Sequence, residues 1–453
     1  MKKFYLITLL SFLSLGLFAS HLMGGELVVK HDSAFNHNVI LRLYRDAQGI
    51  PLAQNQTVHV YDTTAGVTYD ILLTIDSSGF LPTSAYSVEW MVYSAQVSLQ
   101  NGFYYFGWDQ CCRNNAIVNA TNPGGASMQL HAGLLVDGNG NSTPDFMIQP
   151  ALVVPEDTVW THNSLPFDPN GDSIAWVLSA PLDLDTSSNG SGQVFVDGYY
   201  LPPSDSAGPF TINPATGTIS WDPAYVGNFI ASVLVEEFRN GQRIGTIRRD
   251  YQFIVVSDSS NLRIANLNQI PVNLDGNYEV EVEENVNTSF DLVAANSAGT
   301  VKVNVVSEIL EFASNPANLS FIPGTNTMTA RIDWTPNASQ KRERPYPVVF
   351  QLSDDFFIFD FTVLFAHNKA SVGIEETAEN IASVYPVPSS GPLHISAKGN
   401  IDLIQVYNLQ GALISQYTPN ANSFRFDNQL APGNYIVKVK SAERIQSFQF
   451  VIQ

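Results

Sequence analysis

Asp137, Asn139, Asn141 and Asp145 place oxygen-bearing side chains at positions 1, 3, 5 and 9 of one stretch, Asp137-Gly138-Asn139-Gly140-Asn141-Ser142-Thr143-Pro144-Asp145. Closely spaced carboxylate and amide oxygens suit a hard cation such as Ca²⁺. The stretch is not an EF-hand: position 6 is Ser142 rather than Gly, and position 12 is Ile148 rather than Glu. The same composition also serves an ordinary turn whose Asp and Asn side chains bond local backbone. A further acidic cluster, Glu281 to Glu284, reads as a solvated strand edge.

Cys111 and Cys112 are adjacent and are the only cysteines. Two neighbours cannot staple distant strands. We expect them to be linked to each other; two reduced buried thiols, or a metal-bound pair, are the alternatives. No His or third Cys sits at ligand spacing to favour the metal. The chain has no Gly-x-Ser-x-Gly elbow, His-Glu-x-x-His, P-loop or Gly-x-Gly-x-x-Gly before a helix, and its eight histidines are scattered. A non-enzymatic role is therefore expected, although a site assembled in space leaves no such mark. Trp90, Tyr104, Tyr105 and Trp108 are the residues with which a glycan-binding or glycan-active site would stack a sugar. Their other reading is core packing.

The elements that must position these groups are strands. Runs such as Asn38-Val39-Ile40-Leu41-Arg42-Leu43-Tyr44 and Phe229-Ile230-Ala231-Ser232-Val233-Leu234-Val235 are short and rich in β-branched and aromatic residues. Gly, Pro, Asn and Asp clusters separate them, the pattern of β-sandwiches. Ile219-Ser220-Trp221-Asp222-Pro223 matches Ile332-Asp333-Trp334-Thr335-Pro336, a spacing that suits one sandwich per copy. The expected fold is all-β: tandem Ig-like or cadherin-like sandwiches with a small C-terminal sandwich. The expected divisions are a leader at 1–19, a β domain at 20–152, sandwiches at 153–258 and 259–368, a linker at 369–382 and a last domain at 383–453.

Lys2 and Lys3 precede an apolar run from Phe4 to Phe18 and then Ala19 and Ser20, as in a secretory signal peptide. The run is too short for a membrane span, so no transmembrane anchor is expected. Lys and Arg number 22 against 42 Asp and Glu, a formal net charge of −20. The last 71 residues hold five bases and three acids, so the acid excess lies in the body. Such a body repels nucleic acid and anionic lipid. It is compatible with binding divalent cations or simply with solubility.

Three separated motifs near the C-terminus carry a resemblance. They are Val384-Tyr385-Pro386-Val387-Pro388, Val406-Tyr407-Asn408-Leu409-Gln410-Gly411 and Leu430-Ala431-Pro432-Gly433-Asn434-Tyr435. Their order is similar to that of the type A C-terminal sorting domain of bacterial type IX secretion substrates, with Val387 where that family usually has Asn. Tyr385, Pro386, Pro388, Gly411, Gly433 and Tyr435 match the motif. The resemblance implies type IX export and sortase machinery as partners, and the outer cell surface or medium as destination.

In the body, Phe167-Asp168-Pro169-Asn170-Gly171-Asp172 and Ile212-Asn213-Pro214-Ala215-Thr216-Gly217-Thr218-Ile219 resemble the acidic turn and the hairpin of bacterial cadherin-like and related Ig-like repeats. That resemblance implies Asp168, Asn170 and Asp172 as candidate Ca²⁺ ligands, against a purely structural Asx turn. Asn170 stands where the family usually has Asp. Ser20-His21-Leu22-Met23-Gly24-Gly25-Glu26, Leu41-Arg42-Leu43-Tyr44 and Trp108-Asp109-Gln110-Cys111-Cys112-Arg113 resemble the start of large surface proteins of gliding bacteria. A modular adhesion or structural protein with an unknown glycan or protein ligand is the function these resemblances imply.

Overall fold

The computed structural model describes residues 22–452, apart from 82–86, 151, 186–191, 206–207, 258–259, 298, 312, 368–381, 386–391, 409–412, 427–429, 432 and 442–443. The expected leader, residues 369–381 of the expected 369–382 linker, and Pro386, Pro388 and Gly411 lie outside the described residues, while Ala382 opens a strand. The chain forms two units, 1–369 and 370–453. Nearly every described element is a strand, so the all-β expectation holds.

The first unit is organised around strand Gln242–Val256, which is buried continuously from Ile244 to Val255. One edge pairs along its length with strand Gly227–Arg239. Its other edge serves three partners in succession. Gly245–Ile247 pair with strand Ser127–Val136, Arg249–Tyr251 with strand Leu22–Ser33, and Ile254–Val256 with the short strand Val153–Pro155. A fifteen-residue strand spans roughly 50 Å, long enough for that division. Strands Asn36–Asp46, Val88–Ser98, Val67–Phe80, Asn55–Asp62 and Gly102–Cys111 complete the path between 22–33 and 127–136. The strand order is thus circular, and strand 242–256 closes it. Closure removes edges that would otherwise be left unpaired.

This arrangement changes the expected division at 152. Residues 20–152 and 153–258 were expected as separate sandwiches, yet one 13-stranded sheet runs through both. Alternation within a strand fixes which face is apolar but says nothing about which strand it pairs with.

Polar residues secure the join. The Arg249 guanidinium grips Glu26 through Nε (3.1 Å) and Nη2 (2.8 Å) and donates to the Ile148 carbonyl. Arg113 makes the same two-pronged contact with Asp250, at 2.9 and 2.8 Å, and also donates to the Ser127 and Leu182 carbonyls. All four side chains are at most 1% exposed. Gly24 permits the close approach of strand 22–33: a Cβ there would lie 2.4 Å from the Asp250 carbonyl oxygen.

Residues 262–366 form a two-sheet sandwich. Strands Leu262–Ile264, Thr288–Asn296, Thr327–Trp334 and Asn318–Gly324 face strands Glu279–Glu281, Ile358–Ala366, Tyr346–Ser353 and Lys302–Val306. The tryptophans of the two matching motifs share a setting. Trp221 and Trp334 are both fully buried, and each indole N–H donates to a carbonyl, that of Pro203 and of Asn315 respectively. Strand Trp160–Asn163 meets strand 358–366 through a buried polar contact, with His162 Nδ1 2.7 Å from Asp360 Oδ2.

The second unit packs strands Ala382–Tyr385, Leu393–Ile401 and Ala421–Phe426 against Leu413–Tyr417, Leu403–Asn408, Gly433–Ser441 and Arg444–Ile452, around Ile395, Ile404, Val406 and Val437.

Removing one partner of a buried pair leaves the other charge uncompensated. Arg113→Ala is therefore expected to cost about 3–5 kcal/mol in denaturant unfolding. A loss below about 1 kcal/mol would contradict the role given to this pair.

Candidate functional site

The two oxygen-rich segments come together. Asp168 Oδ1 accepts from the backbone N–H groups of Asn170 (2.9 Å) and Asp172 (2.8 Å), an Asx turn. Gly171, at φ 82°, completes it in a conformation glycine takes without strain. Asn170 then staples this turn to the other: its Oδ1 accepts from Ser142 N and its Nδ2 donates to the Gly140 carbonyl. Asp137 holds its own loop by accepting from the backbone and side chain of Asn139. Arg239, at the end of strand 227–239, reaches across both turns to Asp172, Asp137 and Asn141.

Asp145 does not join them. It is buried against Arg42, which grips both its oxygens, and against Lys30 at 2.6 Å. Burial alone would raise its pKa; the two cations instead hold it well below the usual carboxylate range. The expected position 9 ligand is thus an ion-pair partner of strands 22–33 and 36–46. Asn170 Oδ1 accepts from the Ser142 N–H, part of the staple between the two turns.

The residue that sequence reasoning missed is Glu237. It is fully buried, and neither carboxylate oxygen has a hydrogen-bond partner. A bulge at Glu237/Phe238 lies next to it in the pairing with strand 242–256, a device that re-aims side chains. Across the ladder stands Gly245, where a Cβ would sit 2.0 Å from Glu237 Oε2. Carboxylate oxygens of Asp168, Asp172 and Glu237 lie within 4.8 Å of one another. Burial, then the charges of Asp168 and Asp172, push the Glu237 carboxyl up to about 9. Burial also raises Asp168 to about 6. A glutamate inside an alternating strand gave no sequence signal; only the opposed glycine marks it, and that pairing is not local.

Cys111 and Cys112 are joined to each other at the end of strand 102–111, and Arg113 follows directly into the interior. Of the candidate stacking aromatics, Tyr104 and Trp108 are buried, the latter donating to Gln56 Oε1. Trp90 packs over Gly79 of the neighbouring strand. Tyr105 alone is open, and it has an unforeseen partner. Tyr61 lies opposite it across the 55–62/102–111 ladder, and both rings are over 40% exposed. Leu72 is exposed on the next strand, and His59 lies between Asp70 (2.7 Å) and Asp109 (4.0 Å).

In the second unit, Tyr385 is exposed and stacked on His394. Gly433 opens strand 433–441, and Tyr435 packs on Phe450 with its hydroxyl donating to the Ala431 carbonyl.

Residues 383–453 match the secretion system C-terminal sorting domain family. The chain carries a type IX sorting tail and is a secreted or outer-surface protein. No curated protein sequence matches the chain. Among solved structures, a complex of Dpr2 Ig1-Ig2 with DIP-Theta Ig1-Ig3 aligns at 10% identity over 73% of this chain and 94% of its own, with a TM-score of 0.18. Rst D1-D2 aligns at 10% identity over 49% and 99%, TM-score 0.16. An endo-fucoidan hydrolase of glycoside hydrolase family 107, MfFcnA9, aligns at 14% identity over 49% and 34%, TM-score 0.16. Likenesses at these scores carry no argument about function. Among the described residues no helix is long and apolar enough to cross a membrane.

Thiol mapping of the exported protein is expected to find no alkylatable cysteine before reduction and one peptide in which Cys111 and Cys112 are linked. Two reactive thiols in the native protein would return the pair to the reduced state.

Proposed function

We propose that the body of this exported chain is a non-catalytic adhesion module, and that its contact face is the outer side of strands 55–62, 67–80 and 102–111. The observation that carries this reading is the open Tyr61–Tyr105 pair. The same ladder buries Val60 and Phe106 completely on its other face, so the core is supplied without the tyrosines. Tyrosine offers a large contact area at small entropic cost and keeps a polar tip, properties suited to recognition. Leu72 and the Asp70–His59–Asp109 row extend the face with an apolar point and a polar line.

A glycan is the ligand class these side chains favour as a second reading. Aromatic faces pack against sugar rings, and carboxylates accept from sugar hydroxyls. Hydrolysis is less well supported, because it asks for two carboxylates flanking a bond held between them. Here both acids flank His59 on an exposed sheet face.

The sorting tail is proposed to act as an address for the type IX and sortase machinery. It forms a unit of its own, with its own core. Deleting 383–453 is expected to leave the body folded and held in the periplasm; surface delivery at the wild-type level would contradict this.

The contact face is tested with the exported chain on arrays of glycans and matrix proteins. Tyr61→Ala/Tyr105→Ala is expected to weaken whatever binding the wild type shows by at least about tenfold, with an unchanged melting temperature. Equal binding by the double variant would move the contact face elsewhere.

A further inference from the structure

Strand Trp160–Asn163 pairs with strand Thr218–Trp221, which pairs in turn with the short strand Thr211–Ile212. Side chains on this small sheet alternate between its two faces. One face gives Trp160 and Trp221 to the core, both fully buried. The next rung sets Thr161, Ser220 and Thr211 side by side on the other face. That face, with residues 276–278 and 360–362, lines a cleft of about 360 Å³. Ligand clefts commonly measure about 300–1,000 Å³.

Three properties of the cleft limit what it can hold. Its floor is made of hydroxyls, each able to donate and to accept. Thr211 is exposed and Ser220 half-buried, and neither hydroxyl has a hydrogen-bond partner among the described residues. Further along, the hydroxyls are already oriented. Thr216 Oγ1 donates to Thr218 Oγ1 at 2.9 Å, and Thr218 and Thr362 share another bond of 2.9 Å. Asn163 Nδ2 donates to Thr218 and Thr362 as well. Threonine is stiff at χ1, so this end is preorganised and binding orders little more.

The second property is an aromatic wall. Tyr278 and Phe361 line the cleft with ring centroids 4.7 Å apart. An aromatic surface beside a row of hydroxyls matches a sugar ring, which has C–H faces and a hydroxyl edge. The third property is the charge. No Lys, Arg or His is among the lining residues. The one carboxylate among them, Asp360, is buried and engaged: Oδ2 accepts from Asn163 N and faces His162 Nδ1, and Oδ1 accepts from Gln351. A phosphate, sulfate or uronate would meet no cation here and would face a carboxylate.

We propose that this cleft is a binding site for a neutral saccharide, with Thr211, Ser220 and Tyr278 as its principal contacts. The Tyr278 ring packs on the sugar face, and the two free hydroxyls bond its edge. Thr218 and Thr362 are positioning residues that hold the far end of the hydroxyl row. The cleft uses other strands than the open tyrosine pair, so the inference stands independently of the adhesive reading.

The test titrates the full exported chain by calorimetry with neutral tetrasaccharides of glucan, mannan, xylan and galactan type. Alginate and sulfated galactan tetrasaccharides are the acidic counterparts. At least one neutral chain is expected to bind with a Kd of about 1 mM or tighter, and the acidic chains at least about tenfold more weakly. Thr211→Val/Ser220→Ala is expected to weaken the neutral binding at least about tenfold with an unchanged melting temperature. Tyr278→Leu is expected to weaken it at least about fivefold. Ser320→Ala, at an exposed hydroxyl of strand 318–324, keeps it. Absence of neutral binding at this level overturns the proposal. So does tighter binding of the acidic chains, and so does neutral binding that survives the Thr211→Val/Ser220→Ala change.

Discussion

Strand 242–256 places Arg249 and Asp250 in succession where each is at most 1% exposed. Each charge needs a partner, and the partners come from far along the chain: Glu26 for Arg249, Arg113 for Asp250. The edge of this strand is divided among three others, so the same short stretch sets the register of strands 22–33 and 127–136. A shift by one residue would turn every side chain to the opposite face and strand these charges in apolar surroundings. Apolar burial supplies the bulk of the driving force. The ion pairs select one closure among the many that alternating strands would allow.

This closure also explains why segments distant in sequence matter together. Gly24 and Glu26, Arg42, and Arg113 beside the linked cysteines come from the three stretches whose combination resembles the start of other surface proteins. In the fold they meet around one joint: Gly24 lets two backbones approach, Glu26 and Arg113 take up the charges of strand 242–256, and Arg42 lies near Glu26 and grips Asp145. Their roles are structural, and none of them lines the exposed tyrosine face.

Much of this was legible in the sequence, and what was not has a common cause. Strands, the all-β class, the burial of both Trp221 and Trp334, and the sorting tail rest on local patterns, and local patterns survive folding. The circular sheet does not, because pairing partners are chosen by register and packing over more than a hundred residues. Asp145 read as a loop ligand since nothing nearby names Arg42 or Lys30. Tyr104 and Tyr105 are neighbours of the same type, yet a strand's two-residue period buries one and exposes the other. Tyr61 became visible only as the residue across the ladder. Glu237 was hidden in a strand, its meaning set by Gly245 opposite and by two turns folded over it.

The central claim is that residues 22–136 have no closed fold of their own and borrow strand 242–256 to complete one. Residues 20–152 produced alone test it most directly, by circular dichroism and thermal or denaturant unfolding beside the intact body. The account predicts no cooperative transition for the fragment, and recovery of one when residues 153–258 are restored to the same chain. A fragment that melts cooperatively at the temperature of the intact body would contradict it.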